Sequence, residues 1–193
     1  MAPATPGRVI DTSKVDLAAA ELAARDLLQA IGADVDRPDL RETPRRVVAS
    51  FAELTTPAEF GATVFPNEGY DELVLVRDIS FQTLCMHHLL PFHGVAHVAY
   101  LPGDSIIGLS KLARVVEFFA RDLQLQERMT VQIADWLEQE LEPRGVGVVL
   151  SAEHMCMTIR GVRKPGARTI TSALRGRLRA DARTRQEFFS LVS

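Results

Sequence analysis

Apolar residues in this chain change their spacing in blocks, from helical to extended and back. That order restricts the fold more than any other feature. Leu17, Ala20, Ala24, Leu27, Leu28 and Ile31 recur with a helical period, with Ser13 placed as N-cap and Gly32 as the C-terminal stop. A second helix is predicted from Thr43-Pro44, where proline suits an early helical position, to about Leu54. Residues 57–70 hold two prolines and two glycines and read as a loop. Extended segments are predicted at 72–79 and 93–101, then helices at 110–120 and 126–141, the second stopped by Pro143 and Gly145. Strands follow at 146–151, 155–162 and 168–174, with Pro165-Gly166 turning between the last two. A last helix covers 184–191 behind a Thr184-x-x-Glu187 capping box. Blocks of this kind exclude regular βαβ winding and predict an α+β fold with a largely antiparallel sheet. No internal repeat or low-complexity segment interrupts the pattern.

Composition narrows the function classes. A chain of 193 residues is one domain's length and can bury a sizeable core. At 47% hydrophobic and 24% charged it reads as a soluble globular chain, and no apolar run approaches the ~18 residues of a membrane span. The start, MAPATPGRVIDTSK, lacks the apolar core of a secretory signal. Two cysteines, Cys85 and Cys156, are too few for a disulfide scaffold, so a reducing cytoplasm is the expected compartment. A net charge of −3 and a pI near 6.0 argue against bulk nucleic-acid binding. Charge is nonetheless uneven. From Arg160 to Arg185 nine basic residues accompany one acid, Asp181. Most of them read as a solvated face, a few as contacts to a polyanionic small molecule.

Cys85 and His88 form a C-x-x-H pair, whose side chains can leave one turn in the same direction, as zinc chelation needs. Alone, the pair reads equally as a buried thiol beside a packed histidine. The second thiol, in His154-Met155-Cys156, shifts the balance. Residues two apart on a strand share a face, so a metal held by Cys85, His88 and Cys156 would have His154 beside it. Three protein ligands leave a tetrahedral position open, as in catalytic zinc sites. Zinc lowers the pKa of bound water to about 7, and a neighbouring histidine can move protons at neutral pH. His87 should point away from the ligand His88, either toward reacting water and substrate or into packing. His93 and His97 share a strand face and are not expected to bind metal.

Ser110-Lys111 opens a helix, so Ser110 is either a plain N-cap beside a solvated lysine or part of a phosphate-binding helix N-terminus. Arg114 lies three residues on. Gln126-Glu127-Arg128 begins the next helix. By composition Glu127 is one more exposed acid, but a carboxylate there can accept two hydrogen bonds from the ring N–H and exocyclic amine of guanine.

Taken together these motifs resemble the GTP cyclohydrolase I family. The segments are Cys85-Met86-His87-His88-Leu89-Leu90-Pro91-Phe92, Gly108-Leu109-Ser110-Lys111-Leu112-Ala113-Arg114, Gln126-Glu127-Arg128, His154-Met155-Cys156-Met157 with Arg160-Gly161-Val162-Arg163, and Thr169-Ile170-Thr171-Ser172. The similarity is strong from Glu72 to Leu191, weaker at Thr43-Pro44 and Arg46, and slight over the first forty residues. It implies a tunnelling fold: an antiparallel sheet with helices packed on one face and an N-terminal helical region, assembled as a toroidal homodecamer with active sites between subunits. Residues 1–70 would be the N-terminal helical region and loop, and 71–193 the catalytic domain. The implied ligands of Zn2+ are Cys85, His88 and Cys156. Zinc-activated water would attack carbon 8 of the purine of GTP while His154 protonates nitrogen 7, with His87 close by. Formate leaves, the ribose rearranges with Ser110 and His154 carrying protons, and the ring closes to 7,8-dihydroneopterin triphosphate. Glu127 would anchor guanine, Gln126 would also contact substrate, and Lys111, Arg114, Arg160 and a neighbouring subunit's Arg46 would hold the triphosphate.

The chain departs from the family's pattern in three places. Met86 stands where glutamate is usual, Arg177 where an apolar residue is, and Ala49 where some members have lysine. A carboxylate at 86 could steady a ligand histidine, which methionine cannot do. Met86 therefore supports an alternative, a related protein of this fold that binds a purine or pterin without hydrolysing it. A structural-zinc or nucleic-acid module is disfavoured by having only three obvious ligands and an acidic pI. A nitrile-reducing relative would need a thiol free of metal.

Overall fold

The computed structural model describes residues 8–193. Its centre is a five-stranded sheet in the order β5-β2-β3-β6-β7. The long strands β2 (Val74–Cys85), β3 (Pro91–Leu101), β6 (Gly145–His154) and β7 (Arg168–Arg175) pair antiparallel. The short β5 (Leu123–Gln124) joins parallel to the end of β2, setting Gln124 opposite Cys85. A separate two-stranded ladder pairs β1 (Val64–Pro66) with β4 (Ser105–Ile107).

Strand alternation sorts the side chains into two layers. Phe92, Ala96, Val98 and Tyr100 of β3 and Val146, Val148, Leu150 and Ala152 of β6 face the main core. There they meet α3 (Leu109–Ala120) and α4 (Gln126–Leu141), whose apolar residues recur at helical spacing, among them Leu112, Val116 and Phe119, and Met129, Ile133 and Leu137. Ala99, Leu101 and Val149 face the other way, against Leu178 and Phe188 of α6 (Gly176–Ala180) and α7 (Ala182–Val192). Helices thus pack on both faces: α3 and α4 on one, α6 and α7 on the other. This corrects the expected one-sided arrangement. The 57–70 segment is anchored by Phe60, whose ring lies 5.4 Å from Phe118 and 5.2 Å from Trp136. Burying such a ring contributes about 1.5–3 kcal/mol.

α1 (Leu17–Ala30) and α2 (Thr43–Thr55) pack on each other. The apolar stripe of α1 does not reach the core; Leu17, Leu27 and Ile31 are exposed. Its cap is Asp16, which accepts from the Ala19 N–H, while Ser13 lies in a preceding 3-10 turn. α7 is capped by Asp181, which accepts from both the N–H and the hydroxyl of Thr184, in place of the expected Thr184-Glu187 box. α3 is capped by the backbone of Gly108, so Ser110 already sits inside its first turn.

Two strand predictions fail for identifiable reasons. β2 runs to Cys85, not residue 79, because a bulge between Val76 and Ile79, with Asp78 at φ 56°, resets the alternation. The strand expected at 155–162 is instead a single turn, α5 (Met155–Thr158), followed by a loop with Gly161 and Arg163 at positive φ. Met157 and Ile159 alternate there as strand residues would, but both are exposed.

Candidate metal centre and its histidine

Residues 86–90 form the tight connection between β2 and β3. The Cys85 carbonyl accepts from the N–H groups of His88 (3.3 Å) and Leu89 (2.8 Å), and the Cys85 N–H donates to the Leu90 carbonyl at 2.9 Å. Leu89 takes a left-handed φ of 54°, which brings the turn back on itself with His88 above Cys85. The Met86 N–H donates to the Gln124 carbonyl at 3.1 Å and ties this turn to β5. β5 is held in turn by Arg128, which donates to Gln124 Oε1 at 3.0 Å and to the Leu123 carbonyl, and by Gln124 Nε2, which donates to the Phe119 carbonyl at 2.7 Å.

Cys156 arrives from the other side on α5. It does not share a strand face with His154, as its spacing suggests; the chain leaves β6 at His154, and the helical turn brings the thiol round. One ligand atom each from Cys85, His88 and Cys156 all lie within 4.8 Å of one another. Two atoms bonded at about 2.3 Å to one ion can be at most ~4.6 Å apart, so small side-chain movements gather the three. Two sulfurs and an imidazole nitrogen also form a donor set that suits zinc. Cys85 is buried, Cys156 half-buried and His88 exposed, so the centre opens to solvent on the His88 side. Burial and the adjacent Cys85 thiol push the Cys156 thiol above its ordinary range, with Arg160 pulling the other way.

His154 ends β6 directly opposite Phe92 in the β3 register. The two rings stack with centroids 4.4 Å apart and planes inclined by 8°. His154 Nε2 lies 2.8 Å from Gln126 Oε1. Burial holds the imidazole below its ordinary range, and the Glu127 carboxylate opposes this by a smaller amount. Glu127 itself is exposed in the first turn of α4. His87 is exposed beside His88, its ring edge-on at 6.3 Å.

The remaining expected site residues do not all gather at this centre. Ser110, Lys111 and Arg114 lie at the start of α3, which the chain enters from the Leu101 end of β3, opposite the Cys85 end. A shallow cavity of about 450 Å³ sets Arg114 across from Asp78, Ile79 and Ser80 of β2. Ser80 is five residues from Cys85, about 17 Å along a strand. Ser110 and Lys111 are more distant still, since α3 runs back toward Cys85. Arg46 is exposed on α2 and Arg160 follows α5 near Cys156. Gln126, expected to touch substrate, is buried, with its amide bonded inside the chain. A signal for this exists in the sequence: Gln126 is in phase with Met129, Ile133 and Leu137 on the inward face of α4. Thr171, to which the sequence assigns no role, is one of its partners.

The family model described as GTP cyclohydrolase I matches residues 20–193. The GTP cyclohydrolase 1 of Mycolicibacterium vanbaalenii is 52% identical over 190 residues, covering 95% of this chain and 94% of its own. That of Aquifex aeolicus is 54% identical over 171 residues (88% and 93%), and that of Streptomyces coelicolor 55% over 180 (90% and 89%). Among solved structures, the archaeosine synthase QueF-Like in the apo form is similar at a TM-score of 0.47 and 15% identity, over 55% of this chain and 96% of that one. No helix among the described residues is long and apolar enough to cross a membrane.

Proposed function

Because the chain belongs to the GTP cyclohydrolase I family and is an enzyme of that kind, we propose that it holds zinc through Cys85, His88 and Cys156 and converts GTP to 7,8-dihydroneopterin 3'-triphosphate. Formate is released, and the reaction is the first step of tetrahydrofolate and pterin biosynthesis. The observation that carries this reading is the meeting of two thiols and one imidazole within 4.8 Å, beside a histidine clamped against Phe92. Zinc bound there supplies a Lewis acid and water of lowered pKa.

The chain's own side chains do the rest. Glu127 accepts hydrogen bonds from the ring N–H and exocyclic amine of guanine and so sets the purine over the centre. His154 donates a proton to nitrogen 7, and with Ser110 carries protons during rearrangement of the ribose. His87, exposed on the same turn as His88, orients water at the reacting carbon. Lys111, Arg114, Arg160 and Arg46 hold the triphosphate through charge-assisted hydrogen bonds. Arg114 lines a cavity with Ser80, a residue about 17 Å along β2 from Cys85, and Lys111 lies a turn earlier on α3, so the pair serving one centre is assigned to another copy. This separation supports a homo-oligomer with sites between subunits, in the form of a toroidal decamer of tunnelling-fold subunits. Within each subunit residues 71–193 form the catalytic domain and 1–70 a helical N-terminal region. The enzyme works in the cytoplasm, without nucleic acid or membrane.

Zinc-loaded protein incubated with GTP should release formate and dihydroneopterin triphosphate in equal amounts. Cys156→Ala should lose both the zinc and the products. Absence of formate from the wild type, or full zinc occupancy in Cys156→Ala, overturns the reading.

A further inference from the structure

Gln126 sits next to Glu127 at the start of α4 but turns inward, and only 2% of it is exposed. Its amide nitrogen faces three acceptors: the Thr169 carbonyl at 2.9 Å, Thr171 Oγ1 at 3.1 Å and the Leu150 carbonyl at 3.2 Å. Two of these are carbonyl oxygens, which cannot donate, so the amide has one orientation and Oε1 can only accept. The hydroxyls agree with this direction. Thr130 Oγ1 donates to the Gln126 carbonyl at 2.7 Å, so the hydrogen shared by Thr130 and Thr171, 2.7 Å apart, belongs to Thr171. The Thr171 oxygen is then free to accept from the Gln126 amide. On the far side of the amide, His154 Nε2 at 2.8 Å must carry a hydrogen. The Phe92 ring stacked at 4.4 Å keeps the imidazole from tilting out of this bond.

We propose that Gln126 is a positioning residue that commits Nε2 of His154 to a standing hydrogen bond and leaves Nδ1, bare at rest, as the one ring nitrogen that takes the proton lost by the attacking water and passes it to nitrogen 7. Gln126 therefore does not read guanine. The side chains behind it, Thr130 from α4 and Thr171 from β7, fix the amide and through it the tautomer. This inference rests on His154 being the proton donor of the proposed reaction.

Three measurements test it. Nitrogen-15 spectra of the zinc-loaded wild type, labelled at histidine, should show His154 protonated at Nε2 and bare at Nδ1; the opposite tautomer overturns the proposal without any substitution. Gln126→Met keeps the side chain's length and removes the acceptor. It should lower kcat by about 10- to 100-fold with zinc content and KM for GTP unchanged, whereas a raised KM at unchanged kcat marks a guanine contact. In a His154→Ala background, adding Gln126→Met should leave GTP binding unchanged; tenfold weaker binding in the double variant overturns the proposal. If the wild type releases no formate, the reading of the reaction fails, and the spectra still decide the hydrogen bond.

Discussion

At the Cys85 end of the sheet, Gln126, Thr130, Thr171 and His154 are bonded to one another and to main-chain carbonyls. At the start of α3, Ser110, Lys111 and Arg114 project without a side-chain hydrogen bond or ion pair among the described residues. On the proposed reading, the contrast follows from what each end must do. A histidine that moves a proton through one chosen nitrogen needs its other nitrogen fixed, and a buried polar group fixed in this way must be fully partnered. A cluster that receives a triphosphate needs its cations unpaired until the anion arrives. One fold can complete the first kind of site by itself; on the proposed reading it leaves the second for another copy to use.

The strongest way to break this comparison is to disable the two ends in different chains. Cys85→Ser and the double variant Lys111→Ala/Arg114→Ala should each be nearly inactive. Co-assembled in equal amounts, they should recover about a quarter of wild-type formate release, the share of sites that draws both ends from intact partners. No recovery would place both ends of a site in one chain.

A smaller effect sharpens the same contrast. Lys111→Ala alone should raise KM for GTP by roughly 10- to 100-fold, the loss expected of one charge-assisted hydrogen bond to phosphate, with zinc content unchanged. Steady-state kinetics and metal analysis on one preparation check this; loss of zinc would mean that the two ends are not independent.

The mildest test concerns packing beneath the finished end. A Cβ at Gly94 would lie 2.0 Å from the Ser151 carbonyl oxygen and 2.7 Å from Ala152 Cα, in the ladder that sets Phe92 against His154. Gly94→Ala should therefore cost about 1–3 kcal/mol in urea unfolding and lower formate release. A variant as stable as the wild type would show that the two strands can part there without loss.

How much of this the sequence discloses depends on the residue. Cys85, His88 and Cys156 are legible as candidate ligands, and the structure brings them together, although Cys156 gets there by a helical turn and not along a strand. The separation of Ser110 and Lys111 from Cys85 is not legible, because spacing along a chain carries no information about which end of the sheet a helix starts from. β5 and β1, at two and three residues, are too short for any period to reveal. The Asp78 bulge hides the second half of β2 by shifting its phase. Gln126 is legible in principle, since it continues the apolar face of α4; adjacency to Glu127 suggests chemistry, whereas its phase points to position.

Among the described residues β7 is the last strand of the sheet and pairs with β6 on one side only. Along Arg168–Arg175 its other edge offers a row of N–H and C=O groups to any strand that comes beside it, and Ile170 is 70% exposed there. A copy that docks on this edge adds a ladder to an already folded partner and binds no unfolded chain. By mass action the folded state then gains free energy as protein concentration rises. In the proposed assembly thermal midpoints should climb with concentration, and simple dilution should act on the protein as a denaturant does on others.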